Sequence, residues 1–206
     1  FDLRKAPRHL AIIGGGPIGV EMAQAHARLG IKTTIIEINR IMQGYERRFV
    51  EPVHKSLIDD GVNILEGIVV DRVENDRSNI KLHLSCASTL VVSDLLIAAG
   101  RAPNIEKLAL TEAGIKYNET GVIVDRNLQT TNRSVYAIGD IVDGPSFTHT
   151  ASYHAGIVLK KTLFGLSSTI QTTHIPQVTY TDPEIASVGL NFNDAVKRFG
   201  NKVERS

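Results

Sequence analysis

Cysteine is almost absent: Cys86 is the only one among 206 residues. A single thiol closes no disulfide within the chain, and no C-x-x-C, zinc or iron–sulfur spacing can be built from it. Cys86 itself is expected to be a small packing residue. Long apolar runs are missing too: none approaches the roughly 20 residues of a membrane-spanning helix, and the opening FDLRKAPRH has no apolar signal core. Neither sign of charge is in excess. Lys and Arg number 23 against 22 Asp and Glu, a net charge of +1, so nothing points to a nucleic-acid or membrane-surface partner. With 42% hydrophobic and 22% charged residues the composition is that of an ordinary globular protein. The length allows one large domain or two small ones, and a cytoplasmic location is expected. The first residue is Phe1 rather than Met, which suggests a trimmed chain.

What the chain does have is glycine concentrated at one bend. Residues 9–37 read HLAIIGGGPIGVEMAQAHARLGIKTTIIE. Leu10 to Ile13 form a wholly apolar run, as for a strand buried on both faces of a parallel sheet. Gly14, Gly16 and Gly19 then fit G-x-G-x-x-G, with Gly15, Pro17 and Ile18 between them. Ile18, Met22, Ala25 and Leu29 recur at helical spacing, Gly30 stands where a helix ends, and Thr33 to Ile36 make a second β-rich run closed by Glu37.

Each residue type has a mechanical reason to be there. Gly14 permits a tight turn off the strand, Gly16 lets a pyrophosphate approach the backbone, and Gly19 lets the helix pack closely. Pro17 gives up only an N–H that a first helical turn leaves unpaired. The helix N-terminus offers N–H groups and partial positive charge to phosphates. Glu37 falls close to the spacing of about 20 residues expected for the acid that accepts from a ribose 2′-hydroxyl. A carboxylate there would repel the 2′-phosphate of NADP, so NAD(H) is the expected cofactor. Arg40 is read as a solvated or packing residue rather than a phosphate ligand.

Beyond Glu37 the pattern predicts a polar connection over Asn39–Gly44 and a helix over Glu46–Asp60, with Phe49, Val53 and Leu57 on one face and Pro52 in its interior. Gly61 ends that helix, and Val62–Leu65 begin a third strand. Short β-rich runs at Ile68–Val73, Ile80–Leu84 and Leu90–Val92 form a meander, with a hairpin turn at Asn75–Asn79. Asp94–Ala99 returns to a buried parallel-type strand, and Gly100–Asn104 forms a module boundary. Further on, a helical turn is expected at Leu108–Ala113, strands at Gly121–Asp125, Val135–Ile138, His174–Tyr180 and Ile185–Leu190, and helices at Phe147–Phe164 and Asn193–Phe199.

Four segments resemble the flavoprotein disulfide reductases, the family of dihydrolipoamide dehydrogenase, glutathione reductase and mercuric reductase. IIGGGPIGVEMA (12–23) looks like the family's NAD(P) fingerprint and LLIAAGRAPN (95–104) like its AxGRxPN segment. TNRSVYAIGD (131–140) looks like its second FAD motif, and IPQVTYTDPEIASVGL (175–190) resembles the opening of its dimer-interface domain. The resemblance implies an α/β fold: a Rossmann-like parallel sheet with an inserted antiparallel meander over 1–103, the C-terminal portion of an FAD-binding domain over 104–172, and the start of an α+β interface domain over 173–206. It also implies NAD(H) and FAD as cofactors, hydride transfer coupled to a dithiol/disulfide, and a homodimeric parent enzyme.

Residue by residue, the resemblance places Asp140 on the flavin's ribityl chain, behind Gly139. Ser146, Phe147, Thr148 and His149 would start the helix beside the flavin. Glu21 would lie near the nicotinamide, Val69 near the adenine, and Gly100 at the nicotinamide end. His149 and His154 are read as cofactor-site or surface residues rather than metal ligands. The family's first FAD fingerprint, its redox cysteine pair and its catalytic His-Glu pair are missing from these 206 residues, which implies an internal piece of such an enzyme with no catalytic residue of its own. Glu37 favours the dihydrolipoamide dehydrogenase branch. PSFTHTASYHAG (145–156) keeps a mercuric-reductase-like enzyme open, and a non-catalytic nucleotide-binding module is the alternative of another class.

Overall fold

The structure is a computed structural model that describes residues 3–76, 79–144 and 146–204. They divide into two compact units, Phe1–Gly100 with Pro176–Ser206, and Arg101–Ile175. Residues 1 and 2, 77 and 78 at the expected hairpin turn, Pro145 of the 145–156 segment, and residues 205 and 206 lie outside the described residues.

In the first unit β1 (His9–Ile13), α1 (Pro17–Arg28), β2 (Lys32–Glu37), α2 (Arg47–Asp59) and β3 (Asn63–Glu66) follow one another as two βα turns and a strand. The meander of β4 (Val70–Asp76), β5 (Asn79–Leu84) and β6 (Thr89–Val92) is antiparallel throughout. The chain then returns as β7 (Asp94–Ile97), parallel to β1. The main sheet has the order β3-β2-β1-β7. β1 is apolar because it lies between two strands and under a helix, with Leu10, Ala11 and Ile12 buried. β7 is an edge strand of this sheet. It is half-buried rather than buried as the sequence suggested, and Ile97 is 71% exposed.

Both helices end as the glycines predict. Ile31 N–H reaches the His26 carbonyl and Gly30 N–H that of Ala27. Val62 and Gly61 repeat this pair of bonds on Leu57 and Ile58, and both glycines have positive φ, so each helix closes in a Schellman motif. The faces they bury differ from the apolar stripes. On α1 the buried residues are Gly19, Val20, Ala23 and Gln24, whereas Ile18 and Leu29 are exposed. A helix lying close on a sheet uses its smallest residues there. On α2 the buried face is Val50, Val53 and Leu57, and Phe49 is exposed. This helix runs through Pro52, whose missing N–H would have reached the carbonyl of exposed Arg48. Its core mates include Ile41 and Met42, so the 39–44 connection is not simply polar. Cys86 is exposed in the turn between β5 and β6, not packed.

The second unit holds its own core, with Leu110, Ile115, Val122, Leu128, Ala137, Val142 and Ile157 buried together. Its regular structure is sparse: β8 (Tyr117–Asn118) pairs with β9 (Gly121–Val122), and α3 (Thr148–Phe164) ends on Gly165 with φ 65. The helical turn expected at Leu108–Ala113 is a series of hydrogen-bonded turns. Of the strand expected at Val135–Ile138, only Tyr136 makes a β-bridge, to Gln129.

The last stretch rejoins the first unit. β10 (Gln177–Thr179) and β11 (Ile185–Ser187) form an antiparallel hairpin, and α4 (Phe192–Phe199) starts on Asn191, whose side chain accepts from Asp194 N–H. Ile185 joins the core of α1 and α2. Gln24, 4% exposed, satisfies its buried amide by donating to Asp60 and to the Asp182 carbonyl and by accepting from Asp182 N–H. Arg28 bridges Asp60 and Asp182 at 2.8 and 2.9 Å. A buried amide survives only where its partners are supplied, and here they come from the C-cap of α2 and the hairpin.

Candidate functional site

The glycine bend is built by close backbone approach at two of its glycines and left open at the third. A Cβ on Gly14 would stand 2.4 Å from the Ala98 carbonyl oxygen, and φ is +108. A Cβ on Gly19 would stand 1.9 Å from the Gly14 carbonyl oxygen. Neither position can hold another residue without moving the backbone. At Gly16 an added Cβ meets nothing within 4 Å, and the backbone is ordinary, at φ −73 and ψ −176. The protein's own packing gives no reason for glycine at 16, whereas a phosphate drawn against that backbone does. Gly16 is also the N-cap of α1, with no side-chain cap, and Pro17 follows at the first helical position. The first-turn N–H groups therefore face outward with the positive end of the helix dipole.

Glu37 reaches this bend. One carboxylate oxygen accepts from Gly15 N–H at 2.6 Å and the other from Asn39 N–H at 2.9 Å. A carboxylate has about four acceptor sites, so both oxygens retain capacity for sugar hydroxyls. The 39–44 connection folds over the same place: Met42 N–H donates to the Gly15 carbonyl, and Ile41 Cγ2 fills the space where a Gly15 side chain would go. At the carboxyl ends of β2 and β3, the edge where α/β proteins take ligands, lies a cavity of about 530 Å³ lined by Asn39, Arg40, Gln43, Glu66 and Gly67. Glu66 carries no motif signal in the sequence, although it ends β3 as Glu37 ends β2 and is in register with it.

Other expected residues of this unit are more scattered. Val69 is partly exposed, and its N–H donates to Ser85 Oγ at 3.0 Å. Gly100 has φ +111, and a Cβ added there would meet nothing within 4 Å. Glu21 lies in the second turn of α1 and accepts from Tyr180 N–H at 2.8 Å.

In the second unit, Gly139, Asp140 and Ile141 form a single 3₁₀ turn rather than the end of a strand. Gly139 has φ +71, and its Cβ would press on Ala151 of α3 at 3.1 Å. Asp140 is exposed beside Arg101, which approaches its carboxylate at 3.4 Å and donates to the Ser146 carbonyl at 2.8 Å. Arg101 thus ties Asp140 and Ser146 together. Phe147 is the N-cap of α3, whose first residue is Thr148, and its ring stacks on His149 at 5.2 Å. An exposed carboxylate beside an uncapped helix start and a stacked ring pair fits a polyol carrying phosphate and an aromatic system.

His154 is buried rather than a surface residue. Its Nδ1 accepts from Gly139 N–H at 3.1 Å, so the imidazole anchors the Gly-Asp turn to α3. Burial pushes its pKa below the ordinary histidine value. The unfolded chain therefore binds this proton more readily than the folded one, and stability falls as pH drops below about 6.5. Thermal melting of wild type should show this acid-side loss, and His154→Asn should flatten it. Among the described residues, no cluster of three His, Cys, Asp or Glu could hold a metal, and no helix is long and apolar enough to cross a membrane.

Residues 1–155 match the family profile described as pyridine nucleotide-disulphide oxidoreductase. A mercuric reductase of Bacillus cereus is 34% identical, covering 100% of this chain and 33% of that protein. A dihydrolipoyl dehydrogenase of Geobacillus stearothermophilus is 35% identical, covering 92% of this chain and 41% of its own length. Among solved structures, the HOCl-induced flavoprotein disulfide reductase RclA of Escherichia coli matches with a TM-score of 0.87 at 31% identity, over 95% of this chain and 46% of that one. The chain spans between a third and a half of these relatives' lengths.

Proposed function

Because this chain belongs to the pyridine nucleotide-disulphide oxidoreductase family, we propose that it carries the NAD(H) site, and part of the FAD site, of an FAD-dependent disulfide oxidoreductase of the dihydrolipoamide dehydrogenase kind. The observation that carries this reading is the pairing of an open Gly16 with a Glu37 carboxylate bonded to the neighbouring Gly15 N–H. Gly14, Gly15 and Gly16 shape the bend. Pro17, Ile18 and Gly19 open the helix whose N–H groups take the pyrophosphate, and Glu37 accepts from the adenosine ribose. Val69 would flank the adenine, with Gly100 and Glu21 toward the nicotinamide. In the second unit Asp140 accepts from the ribityl hydroxyls, Arg101 holds Asp140 in place, and Ser146, Phe147, Thr148 and His149 line the flavin's edge. When bound, NAD(H) and FAD would supply hydride transfer, coupled in the whole enzyme to a dithiol or disulfide. The homodimer, like the disulfide chemistry, is a property proposed for the enzyme as a whole.

A mercuric-reductase-like activity is the second reading. It is favoured by the 145–156 segment and by a mercuric reductase relative matched over the whole of this chain. Both readings require a pyridine dinucleotide at the glycine bend, and Glu37 favours NAD(H) there. Titrating NAD⁺ into the isotope-labelled chain should shift the amide resonances of Gly15, Gly16, Ile18 and Gly19 first. Saturation with those amides unmoved would refute the placement.

A further inference from the structure

The cavity at the ends of β2 and β3 contains a charge that the Glu37 rule does not include. In the parallel register Glu37 lies directly opposite Glu66, and in-register residues of adjacent strands are about 5 Å apart and point to the same side of the sheet. Glu66 is half-buried and lines the cavity with Asn39, Arg40, Gln43 and Gly67. One of its oxygens accepts from Ile41 N–H at 2.8 Å, which fixes the carboxylate at the rim rather than leaving it to swing into water. Gly67 N–H donates to the Asn39 carbonyl and Ile68 N–H to the Glu37 carbonyl, so the two strand ends and the connection between them are one hydrogen-bonded rim.

We propose that Glu66 is a second specificity-determining residue of the dinucleotide site: with Glu37 it excludes an adenosine ribose bearing a 2′-phosphate. This rests on the reading of the glycine bend as an NAD(H) site. A 2′-phosphate entering the rim meets two carboxylates against the single guanidinium of Arg40. Repulsion at this half-buried edge is attenuated by solvent, so each carboxylate contributes a modest factor, and neither alone accounts for the whole preference. An unphosphorylated ribose feels no such penalty. Removal of the Glu66 charge should therefore act on NADPH and spare NADH.

Glu66→Gln isolates the charge, because its amide oxygen still accepts from Ile41 N–H. NADH and NADPH are titrated into wild type and variant, following nicotinamide fluorescence. The NADPH dissociation constant should fall roughly 3- to 10-fold in the variant, with NADH changed less than about 2-fold, the size expected of one screened charge at this range. Raising ionic strength should shrink the wild-type preference for NADH, a readout that does not depend on the variant folding. If wild type binds NADH and prefers it, yet Glu66→Gln leaves the ratio unchanged or salt leaves the preference unchanged, the role of Glu66 is overturned while the site stands. If wild type binds neither dinucleotide, the site itself is refuted and the proposal with it.

Discussion

A methyl group on Gly16 should leave the chain folded and weaken NADH binding by about 10- to 100-fold, or roughly 1.4–2.8 kcal/mol. The same methyl on Gly19 should damage folding as well. The two glycines differ in position, Gly16 being the N-cap of α1 and Gly19 lying in its first turn, and above all in what surrounds them. Space around Gly16 is open to 4 Å, whereas a Gly19 Cβ would sit 1.9 Å from the Gly14 carbonyl oxygen. Forcing an atom into packed backbone typically costs about 1–3 kcal/mol and sometimes more. Gly16→Ala should therefore melt like wild type and bind poorly, and Gly19→Ala should melt early and bind poorly. Thermal melting with NADH titration on both variants separates the outcomes. A Gly16→Ala chain that binds NADH normally would mean that no phosphate approaches that backbone.

Glu37→Arg should have the second large effect. Glu37 does two jobs: it bonds Gly15 N–H and Asn39 N–H, and it accepts from the ribose. Loss of both should weaken NADH by at least about tenfold, or 1.4 kcal/mol. A 2′-phosphate about 4 Å from the native carboxylate would be repelled by about 4 kcal/mol at an effective dielectric near 20, less after screening, and arginine turns that repulsion into attraction. The NADH-to-NADPH preference should therefore shrink or invert by more than NADH affinity alone falls. An unaltered ratio would mean that Glu37 shapes the bend but does not read the sugar.

The first unit was legible where a residue's local surroundings decide its fate. A wholly apolar strand, three glycines and a terminal acid gave β1, α1 and β2, because each of those features is imposed by neighbours a few residues away. Positive-φ glycines marked the ends of both helices for the same reason. The periodicity of large apolar residues does not locate the buried face of α1, because close packing on a sheet selects Gly19 and Ala23 over Ile18 and Leu29. Gln24 was invisible as a core residue, since its partner Asp182 lies 158 residues along the chain. Ile41 and Met42 are hidden in a stretch that otherwise reads as a polar turn.

The site followed the same division. Glu37 could be found by counting from a motif. Glu66 needed the strand register, and Arg101 and His154 needed contacts across 39 and 15 residues. In the second unit the sequence overstated regular structure. Val135–Ile138 has the composition of a strand, but only Tyr136 finds a bridge partner, and β-rich composition makes a strand only where an edge is offered to it.

The most direct test of the central claim is the binding of NADH and NADPH to the wild-type chain, measured side by side at low salt. The account predicts saturable NADH binding that is at least several-fold tighter than NADPH binding. Tighter binding of NADPH, or no binding of either, would contradict it.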